Sequence, residues 1–130
     1  MKRLLLTILC AFAPIAFAAK PIPENTATML GKALVDDTKA WCEFEVWGRD
    51  ENTLFVWALC EARSGTSASV PAVVGIKDDK AISIKIPRDG ANYAQDVKAL
   101  FPEAVQRRIL RQEFDVKAAL ERIAKRKANQ

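Results

Sequence analysis

Two strand-like runs flank a short polar turn: Trp41-Cys42-Glu43-Phe44-Glu45-Val46-Trp47 and Leu54-Phe55-Val56-Trp57-Ala58-Leu59-Cys60. Both are rich in aromatic and branched residues, and segment 48–52 between them carries turn residues, so they predict a β-hairpin. If residues whose numbers sum to 102 lie opposite each other, Cys42 faces Cys60. A slip of one residue would place the two sulfur atoms on opposite faces of the sheet. The sequence therefore predicts a Cys42–Cys60 disulfide and, with it, the register of the hairpin.

The first 18 residues have the pattern of a secretory signal peptide. Lys2 and Arg3 precede an uncharged apolar run, and the small residues Ala16 and Ala18 stand where a signal peptidase would read them. Cleavage after Ala18 would remove Cys10 and leave an even number of cysteines, as expected in an oxidising compartment. We expect a protein exported to the periplasm or secreted, with no transmembrane anchor after cleavage.

Residues 19–130 are long enough for one domain with one real core. Removing Lys2 and Arg3 lowers the formal charge from +4 to +2, and this charge is unevenly spread. Residues 19–87 carry a net −2, and residues 88–130 a net +4. Because the basic residues alternate with apolar ones at helical spacing, we interpret the second half as basic helices lying on an acidic sheet, with no nucleic-acid partner.

The remaining pattern predicts an α+β fold with a four-stranded antiparallel meander. A short helix capped by Asn25 or Thr26 precedes the hairpin, strands follow at 69–76 and 81–86, and helices begin near Tyr93, Glu103 and Val116. Apolar stripes in the second half run through Val105, Ile109 and Leu110 and, with Asp115 as a cap, through Val116, Ala119, Leu120 and Ile123.

The third and fourth strands allow a second register prediction. Pairing residues whose numbers sum to 158 places Ile76 opposite Ile82 and Val74 opposite Ile84. That arrangement requires an odd-length loop or a bulge near Asp78-Asp79. In this element order the chain resembles cystatin-like and related α+β folds; the resemblance rests on the layout and not on a motif.

The absence of histidine excludes several catalytic classes. Neither a Ser-His-Asp nor a Cys-His nucleophile can be built, and there is no His-ligated metal site and no glycine-rich phosphate loop. Cys42 and Cys60 are too far apart for a redox Cys-x-x-Cys motif. We expect no catalytic residues, metal or cofactor, and no enzyme activity.

One face of the hairpin is unusual in composition. In the disulfide register this face carries aromatic and acidic side chains, which form the candidate binding site: Trp41, Glu43, Glu45, Trp47, Phe55 and Trp57. Trp47 is expected opposite Phe55. The face is too apolar for a wetted sheet surface and too acidic for a dry core. Either the C-terminal helix covers it, with Arg107, Arg108 or Arg111 reaching the glutamates, or a partner does; we favour the helix.

The sequence thus favours a small exported binding domain that recognises a protein partner in the cell envelope or outside the cell, for instance as an inhibitor. Tryptophan and phenylalanine ringed by acids are typical of protein interfaces. One alternative is a glycan or cell-wall binder that uses the three tryptophans. A second is a small glycoside hydrolase that uses the carboxylates of Glu43 and Glu45, two residues whose Cβ atoms would lie about 7 Å apart on a strand.

Overall fold

A computed structural model describes residues 20–130, and the predicted signal peptide lies outside them. The elements follow the predicted order. Helix α1 spans Thr26–Val35, and the four strands span Trp41–Asp50 (β1), Thr53–Glu61 (β2), Ser67–Lys77 (β3) and Lys80–Lys85 (β4). A 3₁₀ turn at Gly90–Asn92 leads into helices Tyr93–Leu100 (α2), Glu103–Leu110 (α3) and Val116–Ala128 (α4). Within residues 20–130, no helix combines the length and the apolar composition needed to cross a bilayer.

The strands form one antiparallel sheet in the order β1-β2-β3-β4, so the α+β meander is confirmed. Cys42 pairs with Cys60 in the predicted register, and the two residues are joined by a disulfide. Both cysteines are buried. The cross-link therefore lies within the sheet and pins the end of the hairpin opposite its turn.

The predicted pairing of Trp47 with Phe55 is wrong. Val46 pairs with Val56 as expected, but the register then shifts by one residue, so that Gly48 lies opposite Phe55. This bulge places two residues of β1 against one residue of β2. Gly48 also makes room for α3, since a Cβ atom there would lie 2.9 Å from Cγ2 of Val105.

The register of β3 and β4 is half confirmed. Val74 pairs with Ile84 as predicted, but Ile76 pairs with Ala81, and Ile82 is 55% exposed. The cause is a two-residue turn at Asp78-Asp79, whose φ angles of 51° and 62° are both positive, as in a type I′ hairpin. The extra residue, Ile82, forms a bulge in β4 between Ala81 and Ser83.

Pro71 lies in the middle of β3, opposite Trp57. The pairing of β4 with β3 reaches only to Val73, so no strand lies beyond β3 at Pro71. The missing N–H is tolerated because β3 is locally an edge strand.

The sheet is covered on both faces. Helix α1 packs on one face through Leu30, which is fully buried, over a cluster that includes the disulfide, Val56 and Val74. Gly31 lets the connection after α1 pass close to the helix, since a Cβ atom there would lie 2.5 Å from the carbonyl oxygen of Asp37. Helices α2, α3 and α4 and the connections between them cover the other face with the following buried side chains: Val97, Phe101, Val105, Ile109, Phe114, Ala119 and Ile123.

Two predicted caps differ in outcome. Asp115 caps α4 by accepting a hydrogen bond from the backbone N–H of Ala118 at 2.9 Å. Asn25 occupies the N-cap position of α1, but its side chain bonds β4 instead. Its amide nitrogen donates to the carbonyl oxygen of Ala81 at 2.8 Å, and its amide oxygen accepts from the N–H of Ala81 at 2.9 Å. Asn25 thereby acts as a one-residue strand partner on the edge of β4.

Candidate functional site

The six predicted site residues lie on the sheet face that α2–α4 cover. Trp47 and Phe55 are each only 8% exposed and belong to the core under these helices. Trp41, Glu43, Glu45 and Trp57 are half-buried. The chain's own helices cover the face, and Trp47 and Phe55 in particular have little surface left for a partner.

The aromatic rings of this face pack mainly against one another and against helix residues. The centroids of Trp47 and Trp57 are 5.7 Å apart, and Trp57 stacks on Phe114 at 6.1 Å. Phe55 meets Phe101 edge to face at 6.1 Å. These are the separations of aromatic pairs in protein cores.

Two of the three indole N–H groups are bonded inside the protein. Trp47 Nε1 donates to Glu45 Oε2 at 3.0 Å, and Trp57 Nε1 donates to Ser69 Oγ at 2.9 Å. Trp41 Nε1 is buried and has no acceptor among residues 20–130. Two cations lie over the Trp41 ring instead, with Arg63 Cζ at 4.7 Å and Lys127 Nζ at 4.9 Å from its centroid.

Two acids of this face, Glu43 and Glu61, are bound by α4 and not by the predicted arginines. Glu43 Oε1 lies 3.6 Å from Arg122 Nε and 3.1 Å from Arg126 Nη2, and Lys127 pairs with Glu61. Arg126 Nη2 also donates to the carbonyl oxygen of Cys42 at 2.8 Å. The covering helix is therefore basic, as expected, and α4 supplies the cations because it lies along β1.

The three arginines predicted to reach the glutamates of the sheet have other roles. The guanidinium of Arg108 lies 4.6 Å from the centroid of Trp47 and pairs with Glu113 at 3.2 Å. Arg107 pairs with Glu103 one turn earlier in α3. Arg111 makes no ion pair within residues 20–130.

The carboxyl with the most strongly lowered pKa lies outside the candidate site. The Arg88 side chain and backbone N–H both donate to Asp96, and these bonds lower the pKa of that carboxyl from 3.8 to about 2. Burial raises the pKa of the nearby Tyr93 hydroxyl, and Asp89 raises it further. The Arg88–Asp96 pair ties the turn after β4 to α2 at the point where the chain crosses to the other face of the sheet.

Two concave regions lie at the opposite end of the sheet from the disulfide. The larger, of about 540 Å³, lies between the N-terminal segment 21–25 and the β3–β4 turn, and the other extends to the β1–β2 turn. None of the six predicted site residues lines either region. In the part of the chain that the structure describes, no three acidic or cysteine side chains come together as a metal site.

A feature that the sequence reasoning missed is the outer surface at the α3–α4 connection. Leu110 is 80% exposed, and Val116 and Leu120 are 43% and 45% exposed. The buried positions of these helices are Val105 and Ile109 in α3 and Ala119 and Ile123 in α4. We call the three exposed side chains the α3–α4 surface. Leu110 falls outside the i, i+4 set of Val105 and Ile109 in α3, whereas Val116 and Leu120 border the Ala119 and Ile123 positions of α4 and are partly covered.

No protein-family model, curated protein or solved structure matches the chain. Its function has to be argued from the fold and from its surfaces.

Proposed function

We propose that the chain is a small exported binding domain that recognises a protein partner through the α3–α4 surface. The observation that carries the proposal is the 80% exposure of Leu110, together with Val116 and Leu120 within segment 110–120. Exposed apolar patches are typical of interaction sites, and the proposal takes these three side chains as one such patch.

Packing within the domain does not account for these side chains. Ile109, Phe114, Ala119 and Ile123 from the same segments already fill the core against the sheet. A polar residue at 110, where the side chain is 80% exposed, would leave that core unchanged. A partner that buried the three side chains would gain about 25 cal/mol for each Å² of apolar surface removed from water.

The proposal of export rests on the signal-like pattern of residues 1–18 and on the Cys42–Cys60 disulfide. Disulfides persist in oxidising compartments and are rare in the cytosol. The cell envelope or the extracellular space is therefore where we expect the partner.

Glycan binding and glycoside hydrolysis remain alternative predictions, and the geometry favours them less. A glycan platform needs accessible indole faces, whereas Trp57 stacks on Phe114 and Arg108 lies over Trp47. The hydrolase alternative needs a free carboxylate pair beside a cleft, whereas Glu43 is engaged by Arg122 and Arg126.

The proposal is tested by site-specific photo-crosslinking in the cells that produce the protein. A photoreactive p-benzoylphenylalanine replaces Leu110 in one variant and Ile82 in the matched control, which is also exposed, at 55%, but lies in β4. We expect a discrete protein adduct from position 110 and none from position 82. No adduct from 110, or the same adduct from both positions, would overturn the proposal.

A further inference from the structure

The connection between β4 and α2 contains a dipeptide with its own backbone chemistry. Asp89 is followed by Gly90, whereas each of the other aspartates precedes a residue that carries a side chain. In an aspartate–glycine pair the glycine nitrogen is unshielded, because glycine has no Cβ atom, and it can attack the carboxyl carbon of the aspartate. Whether this reaction proceeds in a folded protein depends on the exposure, the hydrogen bonds and the backbone freedom of the two residues.

Asp89 and Gly90 are both exposed, and they lie outside the sheet and the α-helices. Strand β4 ends at Lys85, and Asp89 directly precedes the 3₁₀ turn Gly90–Asn92. Asp89 itself is extended, with φ −74° and ψ 164°. Neither a strand ladder nor an α-helical turn therefore fixes the bond between the two residues.

Neither reacting group has a partner within residues 20–130. The Asp89 carboxylate forms no ion pair there and does not cap the 3₁₀ turn. The backbone N–H of Gly90 donates no hydrogen bond to another backbone group of this part of the chain. The attacking nitrogen and the carboxyl carbon are thus free of contacts that would first have to break.

Most other aspartates are held by hydrogen bonds. Five of them accept from a side chain or a backbone N–H: Asp36, Asp37, Asp50, Asp96 and Asp115. Asp78 and Asp79 are exposed in the β3–β4 turn, but Asp79 and Lys80 follow them. Asp89 therefore combines an unengaged carboxylate with a following glycine, and the other aspartates do not.

The backbone at Gly90 has room to move. Its φ angle is 72°, and no atom lies within 4 Å of the position that a Cβ atom would occupy. Glycine adopts positive and negative φ angles about equally readily, so rotation at residue 90 costs little. The turn can therefore bring the Gly90 nitrogen against the carboxyl carbon of Asp89.

We infer that Asp89 isomerises spontaneously to isoaspartate in the folded protein. The Gly90 nitrogen forms a bond to Asp89 Cγ, and the carboxyl hydroxyl leaves with the amide proton as water. Water then opens the five-membered succinimide ring. Opening at the former side-chain carbonyl restores aspartate, and opening at the former backbone carbonyl leaves isoaspartate, with Asp89 Cγ in the main chain.

The product changes the geometry of the crossover from the sheet to the helices. IsoAsp lengthens the main chain by one methylene group directly after Arg88, whose backbone N–H and Nε donate to Asp96 at 2.9 and 2.8 Å. The charge of the segment is unchanged, since each form carries one carboxylate. The reaction consumes one water for each water that it releases, so it needs no oxidant, reductant or co-reactant.

The test is incubation of the purified folded protein for several weeks at physiological temperature in neutral buffer. Proteolysis and electron-transfer dissociation mass spectrometry then distinguish isoaspartate from aspartate at each position. We expect isoaspartate to accumulate with time at position 89 and not at Asp79, which is also exposed in a turn but precedes Lys80. The matched variant Asp89→Glu should lose the signal, because its longer side chain would have to close a six-membered ring.

A urea-unfolded sample of the same protein is incubated in parallel. Isoaspartate at position 89 in the unfolded chain but not in the folded chain would overturn the inference, because it would show that the fold blocks ring closure. Equal accumulation at 89 and 79 would also overturn it, because exposure alone would then explain the reaction. Circular dichroism of the folded samples, before and after incubation, checks that the signal comes from folded protein.

Discussion

Arg126 joins the end of the chain to the disulfide. Its guanidinium donates a hydrogen bond to the carbonyl oxygen of Cys42 at 2.8 Å and lies 3.1 Å from the Glu43 carboxylate. One side chain of α4 thus satisfies a backbone acceptor and an acid on the edge strand β1. The contact joins residues 84 positions apart in the chain and helps to keep the aromatic face covered.

Arg126→Ala should therefore loosen α4. The lost contacts involve a charged donor that is partly exposed, so we expect the free energy of unfolding to fall by about 1–2 kcal/mol. Lys125→Ala is the matched control, since Lys125 is exposed and makes no ion pair within residues 20–130. Urea denaturation of both variants measures the difference, and equal midpoints would contradict the role given to Arg126.

Removing the disulfide should lower the free energy of unfolding by more than Arg126→Ala does. Cys42→Ala together with Cys60→Ala opens a link that spans 18 residues, for which the chain-entropy model gives a loss of about 3 kcal/mol. The measurement is denaturation of the parent and of the double variant, each with and without reductant. The variant's curve should not respond to reductant. A double variant as stable as the oxidised parent would show that the cross-link does not stabilise the sheet.

Gly48 and Val105 should behave as a coupled pair. In Gly48→Ala the new methyl group would lie 2.9 Å from Val105 Cγ2, so we expect a loss of about 1–3 kcal/mol from overpacking. In the background of Val105→Ala the same change should cost less, because the opposing methyl group is gone. A double-mutant cycle measures this coupling, and strictly additive losses would mean that α3 does not pack on Gly48.

We expect the Arg88–Asp96 pair to make the free energy of unfolding depend on pH in the acid range. The pKa of Asp96 is lowered from 3.8 to about 2 in the folded protein, so its stabilising contribution is present above pH 3.8 and is lost as the pH falls towards 2. In Asp96→Asn the unfolding free energy should be lower at neutral pH and should fall less steeply between those values. Asp89→Asn, which removes a neighbouring acid outside this pair, should keep the slope of the parent. Parallel curves for Asp96→Asn and the parent would contradict the assignment.

Much of the sheet could be predicted from local patterns. The Cys42–Cys60 register follows from alternation and from disulfide geometry, both of which are properties of the two strands alone. The helix order follows in the same way from apolar spacing and from residues such as Pro102 and Asp115.

The errors arose where tertiary contacts decide the outcome. The bulge after Val46 sits where Gly48 meets Val105 of a helix distant in sequence. The Asp78-Asp79 turn adopts two positive φ angles without a glycine, so residue preference did not reveal its type.

The same limit explains the error in the candidate site. Helical spacing shows which side of α4 is apolar, but it does not show which strand the helix lies along. The arginines that pair with the sheet glutamates were therefore predicted in or near α3, at 107–111. In the structure, Arg122 and Arg126 of α4 pair with Glu43 instead.

The central claim is that α2–α4 cover the aromatic face of the sheet and leave the α3–α4 surface as the exposed apolar feature. Nuclear Overhauser spectroscopy of the folded chain tests it most directly through Trp57 and Phe114, whose rings stack with centroids 6.1 Å apart. We predict strong cross-peaks between these two rings, and none from the Leu110 methyl groups to either ring. A Trp57 ring with no cross-peak to Phe114 would contradict the covered face and would return the tryptophans to the role of an open binding platform.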